Sequence, residues 1–266
     1  MYDKVIVDHY SKVADDEGHL ESCTMADSKI RDLETAFIIN GVNAFLQESG
    51  KRSRLGSVRL LDVGCGNGFT LEVLQEKFPQ LDIDGVEFTP NLRKLANARG
   101  LRCEVRSGDV RDLNTLPSNQ DIIVCQRVLI NLLDSRDQAS SLSNLSQALN
   151  QGGYLIIIEA FNTGLQNLNL CREELGLNLI PPAHHNLYLN DDFFDLSADL
   201  DELETSFGPH ILSTHYFVSR VLHDVALAAT DASFVRNSLF TKFFDDALPL
   251  GVGNFSPLQC RLFKKL

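Results

Sequence analysis

Three glycines at alternate positions, Gly64, Gly66 and Gly68, follow the acidic residue Asp62. The apolar residues before them predict a short buried strand, and residues 69–78 predict a helix. Glycine allows a sharp turn between the two and leaves no Cβ between the backbone and a ligand. A strand, a glycine turn and a helix in this order predict the first unit of a nucleotide-binding α/β sheet.

The spacing of the glycines indicates which ligand the turn suits. The dinucleotide pattern G-x-G-x-x-G needs a third glycine at position 69, where this chain has Phe69. The pattern present, an acidic residue followed by G-x-G-x-G, resembles the first motif of the class I S-adenosylmethionine (SAM) methyltransferases. The alternative is a glycine turn that binds no ligand. The resemblance implies a SAM site that includes Asp62, Gly64, Cys65, Gly66 and Gly68.

A second acidic residue, Glu87, ends the alternating strand predicted over residues 81–88. In a parallel sheet this end faces the same crevice as the glycine turn, and a carboxylate there can accept both hydroxyls of a ribose. We therefore predict that Glu87 and its neighbour Phe88 contribute to the cofactor site. The alternative is an ordinary solvated glutamate at a strand end.

The next two strands carry further candidates. Gly108, Asp109 and Val110 follow a predicted third strand and resemble the adenine-binding turn of the family. The resemblance implies that Asp109 accepts a hydrogen bond from the adenine amino group and that Val110 covers the ring; a plain turn is the alternative. After the fourth strand, polar residues interrupt an apolar run, and we predict that they line the pocket near the methyl group: Gln126, Arg127 and Asn131. The alternative is that Arg127 is a surface arginine and Asn131 is a helix cap.

A general base is needed only for some acceptors. Methyl transfer to a hydroxyl requires one, whereas a carboxylate, phosphate or thiolate accepts without it. The candidates are Glu159, at the end of the predicted fifth strand, and three histidines, His184, His185 and His223; Asp134 is more distant. Each histidine could equally be structural. No metal is predicted, because adjacent histidines rarely point the same way and no H-x-x-x-H or paired-carboxylate cluster is present.

Four further stretches, at residues 126–133, 159–164, 185–186 and 219–223, resemble methyltransferases that modify bacterial surface polysaccharides and sugars. That resemblance implies O-methylation of a sugar hydroxyl, or of a phosphate or carboxylate attached to a sugar. Arginines would suit an anionic acceptor. The candidate substrate residues are Asn131, Arg172 and Arg220, with Arg127 beside them.

These residues need a Rossmann-like α/β fold. We predict a seven-stranded, mostly parallel sheet with helices on both faces, a helical N-terminal segment and an insert after the fifth strand. The second half is predicted to contain a helix over 191–204, a sixth strand over 210–218, a helix over 234–247 and a seventh strand over 258–265.

The chain divides into four predicted parts. An N-terminal helical segment covers the pocket, a SAM-binding core follows, then a substrate-side insert, and last the C-terminal sheet elements and helices. Their bounds are 1–54, 55–160, 161–209 and 210–266.

Composition limits the partners. The 266 residues carry a net charge of −12, which argues against broad binding of nucleic acid. Six cysteines without a C-x-x-C pair imply no disulfide framework, and no stretch is long and apolar enough to span a membrane. We therefore expect a cytoplasmic protein whose partner is a small-molecule or glycan acceptor, with its oligomeric state open.

The predicted function is transfer of a methyl group from SAM to such an acceptor, at oxygen. Two alternatives belong to other classes: a SAM-binding regulatory or partner subunit without catalysis, and an NAD-dependent oxidoreductase. Phe69 disfavours the oxidoreductase because it occupies the position of the third fingerprint glycine.

Overall fold

In the computed structural model the chain is built on one mixed β-sheet. The structure describes residues 3–18, 20, 23, 25–50, 57–206, 208–230 and 233–266, and within them the sheet has seven strands. The strands are β1 (Arg59–Val63), β2 (Asp82–Glu87), β3 (Arg106–Ser107), β4 (Gln120–Gln126), β5 (Leu149–Ala160), β6 (Leu200–Glu202) and β7 (Leu258–Lys265).

The strand order creates a crevice beside β1. The order is β3-β2-β1-β4-β5-β7-β6; the first five strands are parallel, and β7 runs antiparallel to both β5 and β6. From β1 the chain moves outward to β2 and β3 and then returns to β4 on the other side. Such a switch point leaves a ligand crevice at the carboxyl ends of β1 and β4. The predicted Rossmann-like, mostly parallel sheet is confirmed.

Helices accompany the sheet. They are α1 (Asp3–Glu17), α2 (Ser28–Gly50), α3 (Phe69–Lys77), α4 (Pro90–Asn97), α5 (Ser135–Ala148), α6 (Asn162–Glu174), α7 (Ser213–Phe217), α8 (His223–Ala228) and α9 (Leu239–Ala247). A π-helical turn, Val218–Leu222, joins α7 to α8. Short 3₁₀ turns in the described part of the chain include Leu113–Thr115, Leu129–Asn131 and Phe193–Leu196. No helix among the described residues is long and apolar enough to cross a membrane.

The core lies around the central strands, whose residues are buried on both faces. Ile122 and Ile123 are neighbours on β4, so they point to opposite faces, yet both are fully buried. Helix α2 packs closely on the sheet: a Cβ at its Gly41 would lie 2.8 Å from the side chain of Ile156. This close contact holds the N-terminal helical region against the sheet.

The prediction of a sixth strand over 210–218 is wrong, because these residues enter α7 and the π-helical turn. Residues 211–216 are all buried, and a short run buried on every side does not distinguish a strand from a helix. The predicted helix over 191–204 is also wrong: that stretch holds a 3₁₀ turn and the edge strand β6. The insert therefore supplies a strand to the sheet.

For other elements, the predicted bounds differ less from those in the structure. The third strand, predicted over 102–106, is reduced to β3, and the helix predicted over 234–247 begins only at α9. The boundary predicted at 54/55 lies outside the described residues. The four-part division stays a prediction.

Candidate functional site

A pocket opens at the carboxyl ends of β1, β2 and β4, with about 1000 Å³ of empty space including the part open to solvent. Ten of the eleven residues predicted to bind the cofactor line it: Asp62, Gly64, Cys65, Gly66, Glu87, Phe88, Asp109, Val110, Gln126 and Arg127. Asn131, predicted for the substrate, lines it too. The fold thus brings together residues from four separate loops.

Gly68 is the exception among the glycines. It precedes α3 with a φ of 81°, and a Cβ there would lie 3.0 Å from the Cβ of Ala96 in α4. Its role is close packing of two helices, so the prediction that it touches the cofactor is not supported. Gly64 has a different constraint, since its φ is 69° and a Cβ would lie 2.5 Å from Val128.

The carboxylate of Glu87 forms a hydrogen bond with the glycine turn. It is buried, and its Oε2 accepts a hydrogen bond from the Gly66 amide at 2.8 Å while its Oε1 accepts from the Thr89 amide at 2.6 Å. Each carboxylate oxygen can accept a second hydrogen bond. Burial raises the pKa of Glu87, although these amide hydrogen bonds oppose the shift. The carboxylate can accept from two hydroxyls that enter the pocket.

Asp62 presents an unsatisfied oxygen. The side chain is almost fully buried, and its Oδ2 has no hydrogen-bond partner among the described residues. Burial, with a contribution from the nearby charge of Glu87, raises the pKa of Asp62 to about 8. A buried acceptor without a partner is unfavourable unless a ligand completes it. A cationic or proton-donating ligand in the pocket would remove this cost.

Asp109 and Val110 lie at the other end of the pocket. Val110 is buried and offers an apolar surface. Both oxygens of Asp109 accept from Arg111, with Oδ2 2.6 Å from Nη2, and Arg111 also pairs with Asp3 of α1 at 2.8 Å. Much of the accepting capacity of Asp109 is therefore used, and its contact with an adenine amino group stays a prediction. The sequence reasoning missed Arg111 and Asp3, which meet only through the fold.

The segment after β4 is held by a carboxylate that the sequence reasoning also missed. Glu34 of α2 is fully buried; it accepts from Gln126 at 2.8 Å and forms an ion pair of 2.6 Å with Arg127. Arg127 has a φ of 56°, an uncommon and strained conformation for a residue with a side chain. Strain of this kind clusters at functional sites, where surrounding contacts maintain it.

Asn131 connects three segments at the pocket wall. Its Nδ2 donates to the Arg127 carbonyl at 2.7 Å and to the hydroxyl of Tyr10 in α1 at 3.1 Å. Its Oδ1 accepts from Asn186 of the insert at 2.8 Å. Both α1 and the insert therefore contact the wall of the pocket through one amide side chain.

The prediction of Glu159 as a general base is wrong. The side chain is fully buried and does not line the pocket. Its Oε1 accepts from the amides of Val128 and Leu129 at 2.8 and 2.9 Å, and its Oε2 accepts from Ile130 at 3.2 Å. Burial raises the pKa of Glu159 to about 7. The carboxylate fixes the turn after β4, which is a positioning role.

His223 and two predicted arginines also lie away from the pocket. His223 is buried between the Asp224 carboxylate and the Phe234 carbonyl, at 2.9 and 3.0 Å. Arg172 pairs with Asp224 at 2.8 Å, and Arg220 pairs with Asp27 at 3.2 Å. Arg172 also donates to the Arg220 carbonyl, so these two arginines lie together. Only Arg127 of the three lines the pocket, and whether they converge on an acceptor was left open by the sequence. A different arginine, Arg31 of α2, lines the pocket.

His185 lies outside the pocket lining as well. Its ring stacks on that of His9 in α1, with centroids 3.7 Å apart, and burial lowers the pKa of His185 to about 4. An imidazole outside the pocket lining cannot act as the base for an acceptor held there. No local pattern indicated that His9 would be its neighbour, because the two residues lie in segments far apart in the chain.

The fold and the crevice define a Rossmann-like nucleotide-binding domain, and comparison with known proteins specifies its class. Residues 60–153 match the family model described as a methyltransferase domain. This part of the chain is a class I SAM-dependent methyltransferase domain, whose cofactor carries a sulfonium and an amino group. The buried, unpartnered oxygen of Asp62 fits such a cation.

Similar proteins support the same class. The chain is 31% identical to demethylmenaquinone methyltransferase of Deinococcus radiodurans over 38% of its own length and 42% of that protein. It is 31% identical to demethylspheroidene O-methyltransferase of Rhodobacter capsulatus over 42% of its length and 28% of that protein. The matches span less than half of these two relatives.

A solved structure extends the likeness to the whole fold. The plantazolicin methyltransferase BamL, in complex with a triazolic desmethylPZN analog and SAH, has a TM-score of 0.56. The alignment covers 98% of both chains at 12% sequence identity, which establishes a shared fold.

Proposed function

We propose that this chain transfers the methyl group of SAM to an oxygen atom of a small-molecule or glycan acceptor. The observation that carries the proposal is the pocket at the switch point, where the buried and unpartnered Asp62 lies beside Glu87. Two similar proteins are methyltransferases, one of them an O-methyltransferase, which supports the proposal.

The cofactor supplies an electrophilic methyl group on a positively charged sulfur. Within the pocket, Glu87 would accept from the two ribose hydroxyls, and Asp62 would place a carboxylate near the protonated amino group of the cofactor. Val110 and Phe88 would provide apolar contact for the adenine. These contacts orient the donor for an in-line displacement, and alignment of this kind supplies much of the rate.

The groups around the pocket favour an acceptor that is already an anion. Among the described lining residues there is no histidine, and Glu159 is occupied by backbone amides. Arg31 and Arg127 bring guanidinium groups to the pocket wall, and an acceptor anion would share that of Arg127 with Glu34. A carboxylate or phosphate oxygen needs no base and pairs well with a guanidinium. We therefore favour a carboxylate or phosphate on a small molecule or sugar over a free hydroxyl.

A transfer assay with matched acceptors tests this. Sugar acids and sugar phosphates are incubated with methyl-labelled SAM beside the corresponding neutral sugars, and label transfer is measured. We expect transfer to anionic members only. Transfer only to neutral sugars would contradict the anionic acceptor, and tight SAM binding without transfer to any acceptor would favour a binding subunit.

An Arg127→Gln variant tests the role of the guanidinium. We expect KM for the acceptor to rise by roughly tenfold or more, because one charge-assisted hydrogen bond is worth about 1.5–3 kcal/mol. Arg106→Gln is the control, since that arginine is exposed and pairs with Asp84 away from the pocket lining. An unchanged KM in Arg127→Gln would exclude the acceptor contact.

The pKa of Asp62 predicts how binding depends on pH. The carboxyl is protonated in the free protein below about pH 8, and a cation binds better to its ionised form. Affinity for SAM should therefore fall by up to about tenfold for each pH unit below 8. Titration calorimetry measures the affinity for SAM at several pH values in the wild type and in Asp62→Asn. The amino group of SAM titrates with both proteins, so the difference between the two pH profiles reports the titration of Asp62. Parallel pH profiles would contradict the assignment.

A further inference from the structure

Three histidines form a cluster beside the pocket. They are His9 of α1 and the adjacent pair His184 and His185 of the insert. One ligand atom from each ring lies within 4.8 Å of the other two. The rings of His184 and His185 have centroids 5.0 Å apart, and those of His9 and His184 are 6.0 Å apart.

A turn allows the two neighbouring histidines to face the same partner. The Asn186 amide donates to the Ala183 carbonyl at 2.9 Å, which closes a β-turn with His184 and His185 at its central positions. On an extended strand these side chains would point to opposite sides. The expectation of no metal was based on such divergence of adjacent histidines. His9 belongs to another segment and joins the pair only through the fold.

One ring nitrogen of the cluster has no hydrogen-bond partner in the part of the chain that the structure describes. The Nδ1 of His185 is buried and accepts or donates no hydrogen bond among the described residues. His184 is exposed, so a ligand can reach the cluster from solvent. A buried polar atom without a partner indicates a missing ligand.

We propose that His9, His184 and His185 together bind a divalent transition-metal ion of the Zn²⁺ type. Imidazole nitrogens bind Zn²⁺ at about 2.0–2.1 Å, which places two nitrogens of a tetrahedral site about 3.4 Å apart. The His9 and His185 rings are stacked with centroids 3.7 Å apart, and the three nitrogens lie within 4.8 Å of one another, so binding requires the side chains to turn until the nitrogens reach this spacing. The set supplies three ligands and leaves a fourth position for water.

Such an ion would fasten α1 to the insert over the pocket. His9 precedes Tyr10, and His185 precedes Asn186; both neighbours form hydrogen bonds with Asn131 in the pocket wall. Metal binding would thus hold in place the two segments that meet at this wall. The proposal does not depend on methyl transfer and can be tested in its absence.

The test is a metal titration of the full chain, reduced and without a purification tag. Co²⁺ binding is followed by its visible absorption, and Zn²⁺ affinity is measured by competition with a chromophoric chelator. We expect one equivalent of each ion, with Zn²⁺ displacing Co²⁺. His184→Ala and His9→Gln should each lower the Zn²⁺ affinity by at least about tenfold, since losing even an outer partner of a metal ligand has an effect of this size.

Two controls keep the result specific. His210→Gln removes an imidazole that lies outside the cluster and should leave the affinity unchanged, and circular dichroism shows whether each variant is folded. Zn²⁺ should also slow amide exchange in α1 of the wild type but not of His184→Ala. The proposal is overturned if the wild type binds no Zn²⁺, if the cluster variants bind it equally well, or if bound Co²⁺ shows a thiolate charge-transfer band.

Discussion

Replacing Glu87 by alanine is expected to weaken SAM binding by roughly 100-fold while the chain remains folded. Two hydrogen bonds to a charged acceptor, at about 1.5 kcal/mol each, account for a change of this size. The carboxylate is buried at the carboxyl end of β2 and faces the pocket. Calorimetric titration of SAM into the variant measures the loss.

Two further variants separate ligand contact from loop support. Glu87 also accepts from the amides of Gly66 and Thr89, so its removal loosens the glycine turn. Glu87→Gln keeps an acceptor for one of them and should show an intermediate loss. Asp82→Ala removes an exposed carboxylate at the start of the same strand and should bind SAM as the wild type does. Equal affinities in all three variants would remove the ribose assignment.

The second large effect is expected on stability, at Asp27. Its carboxylate accepts from the Ile30 amide at 3.3 Å at the start of α2, and it pairs with His215 at 3.1 Å and Arg220 at 3.2 Å. His215 pairs in turn with Asp245 at 2.8 Å, and all of these residues are buried. Asp27→Ala leaves the buried Arg220, and His215 where it is protonated, without this partner, and breaking a buried ion pair typically costs about 3–5 kcal/mol.

Chemical denaturation of Asp27→Ala measures that loss. Asp134→Ala is the matched control, because Asp134 caps the start of α5 by accepting from the Arg136 amide at 2.9 Å but lies at the surface. We expect a much smaller loss there. Similar free energies of unfolding for both variants would show that the buried network contributes little beyond a helix cap.

The same network predicts how stability depends on pH. Burial opposes the ionised form of Asp27, but the hydrogen bond and charge of His215 and the charge of Arg220 outweigh it and hold the pKa of Asp27 low. Burial also disfavours protonated His215, whereas Asp245 and Asp27 raise its pKa overall. Stability from Asp27 is present above about pH 4 and lost in acid; stability from His215 is present below about pH 6.5 and lost as pH rises through its raised pKa.

The contribution of this network to the free energy of unfolding should therefore be greatest between about pH 4 and 6.5. His215→Gln removes the imidazole that titrates above this range. Urea denaturation of both proteins at several pH values should show a decline above pH 6.5 in the wild type and a weaker one in the variant. The same slope in both would assign the decline to other groups.

Local patterns were sufficient to predict the cofactor side of the pocket. Asp62, Glu87 and Gln126 each stand at the end of an apolar strand, and parallel strands bring such ends to one edge of the sheet. The spacing of Gly64, Gly66 and Gly68 likewise predicted a cofactor site at this edge. Gly68 satisfied the pattern for another reason, since its missing Cβ makes room for Ala96.

The other residues of the site, and the fold of the second half, depend on contacts between segments that are distant in the chain. Arg31 of α2 lines the pocket, and Glu34 of the same helix pairs with Arg127 of the pocket wall. Nothing in the local pattern of that helix distinguishes these two residues from surface residues. Glu159 ends a strand as Glu87 does, but backbone amides of residues 128–130 occupy it. The histidine cluster joins two segments far apart in the chain, and the apolar run at 210–218 did not reveal its helical form.

Whether the pocket at the carboxyl ends of β1, β2 and β4 is a SAM site can be tested by calorimetry. The full chain is titrated with S-adenosylhomocysteine and, separately, with NAD⁺. S-adenosylhomocysteine keeps the adenosine and amino acid parts of the cofactor, so Glu87 and Asp62 retain their partners. We expect one bound S-adenosylhomocysteine per chain and no heat from NAD⁺. Saturable binding of NAD⁺ with none of S-adenosylhomocysteine would contradict this expectation.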